Sequence, residues 1–193
     1  MTLLPHETPP PLGPAATLAQ AFRALVPVIE TERLVLRAPD IGDFPLHAEI
    51  CTGPRGIGLG GPLTREDAWY DFAQINATWL LRGHGYWTVT ERTSGAAIGF
   101  VGIGFEPGDR EPELGYFFAA EAEGRSLAAE AAGAARDQGF GPLGLVSLVS
   151  YIFKTNARSI ALARRLGAVE DTPSDWEHVD CLVYRHPHPG AHA

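Results

Sequence analysis

Cysteine is scarce in this chain and lysine almost absent. Only Cys51 and Cys181 occur, far apart in 193 residues, which excludes a disulfide framework, fits a reducing cytoplasm and marks both thiols as buried and inert. Lys154 is the sole lysine and every other fixed cation is arginine. With the many Ala and Gly residues this is a compositional bias without functional weight. Cations are outnumbered altogether: 15 Lys and Arg against 23 Asp and Glu leave a formal net charge of -8. That argues against a nucleic-acid partner, since phosphate binding needs clustered cations; it tolerates cationic substrates such as amines without demonstrating one. No apolar run reaches the ~18 residues of a membrane span, so no membrane partner is expected. Residues 1–14 lack the basic start and apolar block of a secretory signal. No G-x-S-x-G nucleophile elbow and no internal repeat occur. His186, His188 and His192 crowd the tail without a Cys or carboxylate among them, so no metal is expected.

What is present reads as one domain. Hydrophobic residues make up 45% of the chain, enough for a full core. Residues 1–27 form a Pro-rich extension, with a short helix near Leu18 to Leu25, that either trails free or packs on the domain. The domain proper spans 28–187, and 188–193 are a disordered tail. Leu34 and Leu36 alternate with arginines in a strand pattern over Thr31 to Ala38, and Asp40 to Cys51 reads as a helix. The Gly-rich stretch 53–63 is a flexible loop that borders a substrate cleft. Thr64 caps a helix whose apolar stripe runs Trp69, Phe72, Trp79 and Leu80, broken by Asn76, and which stops at Gly83 or Gly85. Strands follow over Tyr86 to Glu91, Ala97 to Phe105 and Glu113 to Phe118. A small-residue helix covers Arg125 to Gln138, then come a strand over Leu145 to Phe153, a helix over Asn156 to Leu166 stopped by Gly167, and a strand over Val179 to Tyr184. This order predicts an α/β class in its mixed, α+β form: a mixed sheet with helices on its faces. The four tryptophans read as core anchors, with Trp87 and His84 as candidate walls of an acceptor pocket.

Two turns compete as phosphate cradles. Gly56, Gly58 and Gly61 match G-x-G-x-x-G formally, but a helix precedes them and Pro62 follows, the wrong context for a dinucleotide turn. The turn E-A-E-G-R-S-L-A-A-E-A, from Glu121 to Ala131, follows a strand and opens a helix. The first N–H groups of such a helix lack internal partners, carry partial positive charge and suit a pyrophosphate. Gly124, Arg125, Ser126, Leu127 and Ala128 are the candidates to line it.

At these residues the chain resembles the GNAT acetyltransferase superfamily, most closely its ribosomal-protein N-acetyltransferase branch. The matching segments are T-E-R-L-V-L-R at 31–37, P-L-T-R-E-D-A at 62–68, E-L-G-Y at 113–116, E-G-R-S-L-A-A-E-A at 123–131, N-A-R-S-I-A-L-A-R-R-L-G-A at 156–168 and V-Y-R-H-P at 183–187. The resemblance implies a largely antiparallel sheet of about seven strands with one splayed pair and about four helices. It implies acetyl-CoA as co-substrate and a primary amine as acceptor, either a small molecule or a protein N-terminus, moved by direct attack in a ternary complex. A homodimer is a further possibility in this branch. The family's turn reads Gln or Arg, two residues, Gly, one residue, then Gly or Ala. Glu121 and Ser126 depart from that pattern, and Glu123 stands where an aromatic is usual.

Acyl transfer to an amine needs the neutral nitrogen, under ~0.1% of a lysine-like amine at pH 7, and hence a proton acceptor. Glu113, at the start of the strand that the resemblance sets beside the thioester, is the candidate base. A backbone N–H at Phe117 or Phe118 is the candidate oxyanion donor. Asn156 is read as a contact for the pantetheine arm and as a helix cap, and Ser159 as a hydroxyl for the sulfur. The tyrosine that many members carry seven residues after the asparagine is Ala163 here. A non-catalytic acyl-CoA-binding or interaction module on the same fold is the alternative.

Overall fold

In the computed structural model, residues 3–10 and 12–188 are described, so most of the expected tail, 189–193, lies outside the described residues. Period-two alternation builds the sheet. Eight strands, β1 (Ile29–Glu30), β2 (Leu34–Arg37), β3 (Tyr86–Glu91), β4 (Ala97–Gly104), β5 (Glu113–Phe118), β6 (Val149–Phe153), β7 (Val169–Glu170) and β8 (Cys181–Arg185), lie in the order β1-β2-β3-β4-β5-β6-β8-β7. Eight strands are one more than the expected seven, and the two that the sequence does not disclose, β1 and β7, are two-residue edges too short for an alternation signal. The run from Leu145 enters the ladder only at Val149.

Every pairing is antiparallel except β5 with β6, which is parallel and rests on the single pair Glu113 with Val149. The described residues form five α-helices, α1 (Pro14–Arg23), α2 (Phe44–Thr52), α3 (Arg65–Arg82), α4 (Leu127–Phe140) and α5 (Ala157–Arg165); α2 to α5 pack on the sheet, whereas α1 buries no residue. Alternation assigns the faces. Trp87, Val101, Ile103 and Leu114 pack with α4, whereas Tyr86 and Phe100 pack with α2 and α3. Ala131, Ala132 and Ala135 of α4 are fully buried; small side chains let this helix lie close on β4 and β5.

Thr64 caps α3, its Oγ1 accepting from the Asp67 N–H at 3.0 Å, and the helix ends at Gly83. Its buried line differs from the expected stripe: Ala68, Phe72 and Ile75 are buried, Trp79 packs on Trp87, and Leu80 is 74% exposed. The spacing 68, 72, 75, 79 follows the 3.6-residue period, which carries position 80 off the face. Residues 53–63 are not a loose loop. Pro54–Leu59 form a 3-10 turn, tied down by Gly61 N–H to Gly56 O at 2.8 Å and Leu63 N–H to Cys51 O at 2.9 Å.

The N-terminal extension packs on the domain. Glu7, 1% exposed, accepts from Arg65 at 2.6 and 2.9 Å and from the Leu4 N–H, and the His6 ring meets Trp69 edge-on. Further along, Pro27 O accepts from Trp87 Nε1 at 2.7 Å. The Arg65 guanidinium holds the Glu7 carboxyl down at about 2. Glu7→Gln removes the charge and half of this clasp. Limited proteolysis is expected to cut the variant ahead of residue 27 faster than the parent.

Candidate active site

The pairing of β5 and β6 ends almost as it begins. Val149 N–H donates to Pro112 O at 3.0 Å. Two residues on, the Tyr151 N–H donates to the Glu113 carboxylate at 3.2 Å, and Leu114 O accepts from Ser150 Oγ at 2.7 Å. Side chains thus replace the backbone ladder, and the strands part. A cavity of about 390 Å³ occupies this opening, lined by β5 from Glu113 to Phe117, by β6 from Ser150 to Phe153, and by Asn156 and Ser159. Gly58 and Leu59 of the 3-10 turn close one side. A Cβ on Gly58 would lie 2.8 Å from Asn156 Nδ2, so glycine lets this turn reach the slot. The Gly-rich stretch thus borders the cavity, and does so as a 3-10 turn.

Glu113 is part-buried at the head of the slot. Burial, then the negative charge of Asp109, push its carboxyl up to about 8; the Tyr151 N–H pulls the other way and Glu106 adds to the rise. A carboxyl so placed holds a proton near neutrality and gives it up just above. Beside it, a Cβ on Gly115 would fall 1.9 Å from the Tyr86 hydroxyl: the phenol sits where any other side chain at 115 would be. Tyr116 donates to Ser159 O at 3.1 Å, and burial raises its phenol.

The turn before α4 is tied to α5, the helix whose Ser159 lines the slot, through Arg158 to Glu123 and Arg165 to Ser126. Gly124 and Ser126 have φ of +70° and +62°, left-handed values that turn successive N–H groups to one side. The first ladder bond of α4 is Glu130 N–H to Ser126 O, so the amides of 127–129 precede it. Nothing lies within 4 Å of a Cβ built on Gly124; the space over the turn is open. The carboxylate of Glu123, whose charge would oppose an anion, is paired with Arg55 at 2.6 Å and with Arg158. Those guanidiniums hold its carboxyl below the usual range. Arg165 donates to Ser126 Oγ at 3.0 Å, and Arg125 pairs with Glu91 at 2.5 Å.

Of the residues singled out in the sequence, Glu113, Phe117, Asn156 and Ser159 line one cavity, while Phe118 and 124–128 lie outside its lining. Asn156 caps α5, its Oδ1 accepting from the Ser159 N–H at 3.1 Å, while both side chains line the cavity. The two phenylalanines divide. Ala119 N–H donates to Ile98 O on β4, so strand alternation also turns the amide of Phe117 to β4 and those of Tyr116 and Phe118 to the slot. The side chain of Phe117 lines the cavity, whereas that of Phe118 joins the core. Leu127 is core as well, 1% exposed.

Other expectations fail. Trp87 is fully buried on the far face and His84 bonds Ile103 O at 2.8 Å, so neither lines the cavity; the alternation that buries Trp87 turns its neighbour Tyr86 inward. Trp176, expected in the core, stacks on Tyr151 at 5.2 Å and lines the cavity. Cys181 is only half-buried and also lines it, though burial pushes its thiol up to about 11. Asp71, Glu106 and Asp109 line it unforeseen; Glu106 and Asp109 lie in a turn read only as a connection, and Asp71 on a helix read only for its apolar stripe. His186, read as part of the tail, is 3% exposed and bonds Ser150 Oγ at 3.0 Å. His47, Cys51 and Asp71 each bring one possible metal-ligand atom within 4.8 Å of the others. His47 Nε2 lies 2.8 Å from Asp71, and burial pushes the Cys51 thiol up to about 12, so it stays protonated.

Comparison with known proteins bears on this geometry. A family model described as an acetyltransferase (GNAT) domain matches residues 33–169. An acetyltransferase structure from Agrobacterium tumefaciens is 38% identical, with a TM-score of 0.80 over 84% of this chain and 95% of that one. Two more distant structures share the fold. The ribosomal-protein-S5-alanine acetyltransferase of Vibrio fischeri is 17% identical, with a TM-score of 0.65 over 85% of this chain and 98% of that one. A ribosomal L7/L12 alpha-N-protein acetyltransferase in complex with coenzyme A is 16% identical, with a TM-score of 0.65 over 83% and 97%.

Proposed function

Because the chain belongs to the GNAT acetyltransferase family, we propose that it moves an acetyl group from acetyl-CoA to a primary amine, with Glu113 as general base. One observation carries this reading: the β5–β6 ladder stops at Glu113, leaving a slot lined by Glu113, Asn156 and Ser159, and α5, which carries the last two, also ties down the turn before α4 through Arg158 and Arg165.

The chain's residues fit acetyl-CoA as a substrate. The amides from Ser126 to Ala128 suit its diphosphate, and Arg55 and Arg158 remove the repulsion that Glu123 would otherwise exert. Asn156 and Ser159 meet the pantetheine arm, the Ser159 hydroxyl facing the sulfur. The thioester supplies an activated acyl carbon. The amine nitrogen bonds that carbon as the C–S bond breaks, and the nitrogen's proton passes to Glu113, directly or through a water. The slot-facing N–H of Phe118 receives the charge developing on the acyl oxygen, with Tyr116 as second donor. The thiolate needs no strong acid, its conjugate acid lying near pKa ~8.5, which makes Ala163 tolerable. Small-molecule amines and protein N-termini are both acceptor candidates.

Calorimetric titration with acetyl-CoA, followed by a free-thiol assay over an amine panel, tests the reading. Binding with turnover supports it. Binding without turnover on any amine favours the non-catalytic acyl-CoA module, and no heat at millimolar acetyl-CoA rejects both.

A further inference from the structure

Resting on the reading above, we infer that the acceptor is an amine carrying a second cationic centre a few bonds from its nucleophilic nitrogen, held by Asp71, Glu106 and Asp109 while the nitrogen meets Glu113.

Four carboxylates line one cavity, and only one is needed to take a proton. Several carboxylates elsewhere are matched with arginine: Glu7 with Arg65, Asp43 with Arg37, Glu111 with Arg185, Glu123 with Arg55 and Arg158, Glu130 with Arg33. The four in the cavity are not, for no Lys or Arg is among its described lining residues. The nearby Arg110 is committed to Asp175 at 2.9 Å and to the Trp176 ring. Only imidazoles stand near: His47 against Asp71, and His178 on the wall close to Asp109. Asp109 accepts from the Glu106 N–H at 2.5 Å, a turn that presents both carboxyls at the mouth. Burial and mutual repulsion with Asp71 and Asp109 raise the carboxyl of Glu106, the signature of negative charge gathered without a counter-ion.

A second feature points to a ligand independently. Tyr86 is 7% exposed and lines the cavity, yet its hydroxyl has no hydrogen-bond partner among the described residues. Its phenol is raised by burial first, then by the charges of Glu113, Glu106, Asp71 and Asp109, so it stays neutral. The hydroxyl opens on the cavity, where its oxygen can accept from the N–H donors of an ammonium group. Trp176 and Tyr151, stacked face to face, complete the wall.

The test compares butylamine with 1,4-diaminobutane, equal in length and differing in charge, by free-thiol release from acetyl-CoA at about pH 8. The diamine is expected to show kcat/KM about tenfold or more above the monoamine, mainly through KM, and the ratio to shrink in about 0.5 M NaCl. Glu106→Gln and Asp109→Asn are each expected to bring the ratio toward one. Alanyl-lysine amide against alanyl-leucine amide extends the test, separating a basic peptide terminus from a free polyamine as the source of the second charge. Equal efficiency for both members of each pair, or a ratio that survives both substitutions, overturns the inference. Turnover of butylamine with no charge preference would do so while leaving the acetyltransferase reading intact, whereas absence of acetyl-CoA binding would end both.

Discussion

Glu113→Gln is expected to lower kcat by about 10²- to 10⁴-fold with little change in acetyl-CoA affinity, the range for loss of a general base. Gln matches Glu in shape, and its Oε1 can still accept from the Tyr151 N–H, so the slot should persist. The pH profile carries the sharper signature. A base must be unprotonated, and the Glu113 carboxyl is raised to about 8, so parent kcat/KM should climb as pH rises through about 8. The variant should lack that limb and keep only the rise from the acceptor's own deprotonation. Stability should move the opposite way. The folded carboxyl holds a proton between its ordinary value of 4.5 and about 8, whereas the unfolded chain has released it. The proton-linked stability therefore falls as pH rises across that window. Glutamine has no proton to lose, so Glu113→Gln should melt several degrees above the parent at pH 8 and close to it at pH 5, as read by scanning calorimetry.

Ser126→Asp should separate charge from shape at the diphosphate cradle. Position 126 is in the left-handed region at φ +62°, which Asp tolerates better than most residues, and its side chain meets Arg165 at the helix mouth. A carboxylate at the first turn of α4 favours the helix dipole, so the melting temperature should hold or rise. The same carboxylate would face the diphosphate. At ~4 Å and an effective dielectric of ~20 two like charges repel by about 4 kcal/mol before screening, so acetyl-CoA affinity should fall by about 10²-fold or more. Ser126→Ala, which removes only the hydroxyl, should stay within a few-fold. Equal affinities of parent and Asp variant would show that the diphosphate does not use this mouth.

The sequence disclosed what depends on local chemistry. Alternation set β3 and β5 to the residue, Thr64 and Gly83 bounded α3, and Asn156 fixed the start of α5. The turn before α4 was legible because a lone glycine between a strand and an alanine-rich helix has few other uses. What escaped depends on pairing across distance. The split between β5 and β6 has no composition of its own and was drawn from resemblance alone. The acidity of the cavity was invisible because Asp71, Glu106, Asp109 and Glu113 come from a helix, a turn and a strand that meet only in the fold. The pairing of Glu123, in the turn before α4, could not be read from sequence, because its arginine partners lie at 55 and 158. Tyr86 was overlooked beside Trp87, although Gly102 and Gly115, its neighbours across β4 and β5, are the trace left by a ring that needs space.

The most direct trial of this account is the crystal structure of the chain with acetyl-CoA bound. The expected result sets the diphosphate within hydrogen-bond distance, about 2.7–3.2 Å, of the amides from Ser126 to Ala128, with the sulfur between β5 and β6 and the acyl carbon facing Glu113. A diphosphate seated elsewhere, or a thioester outside the β5–β6 opening, would contradict it.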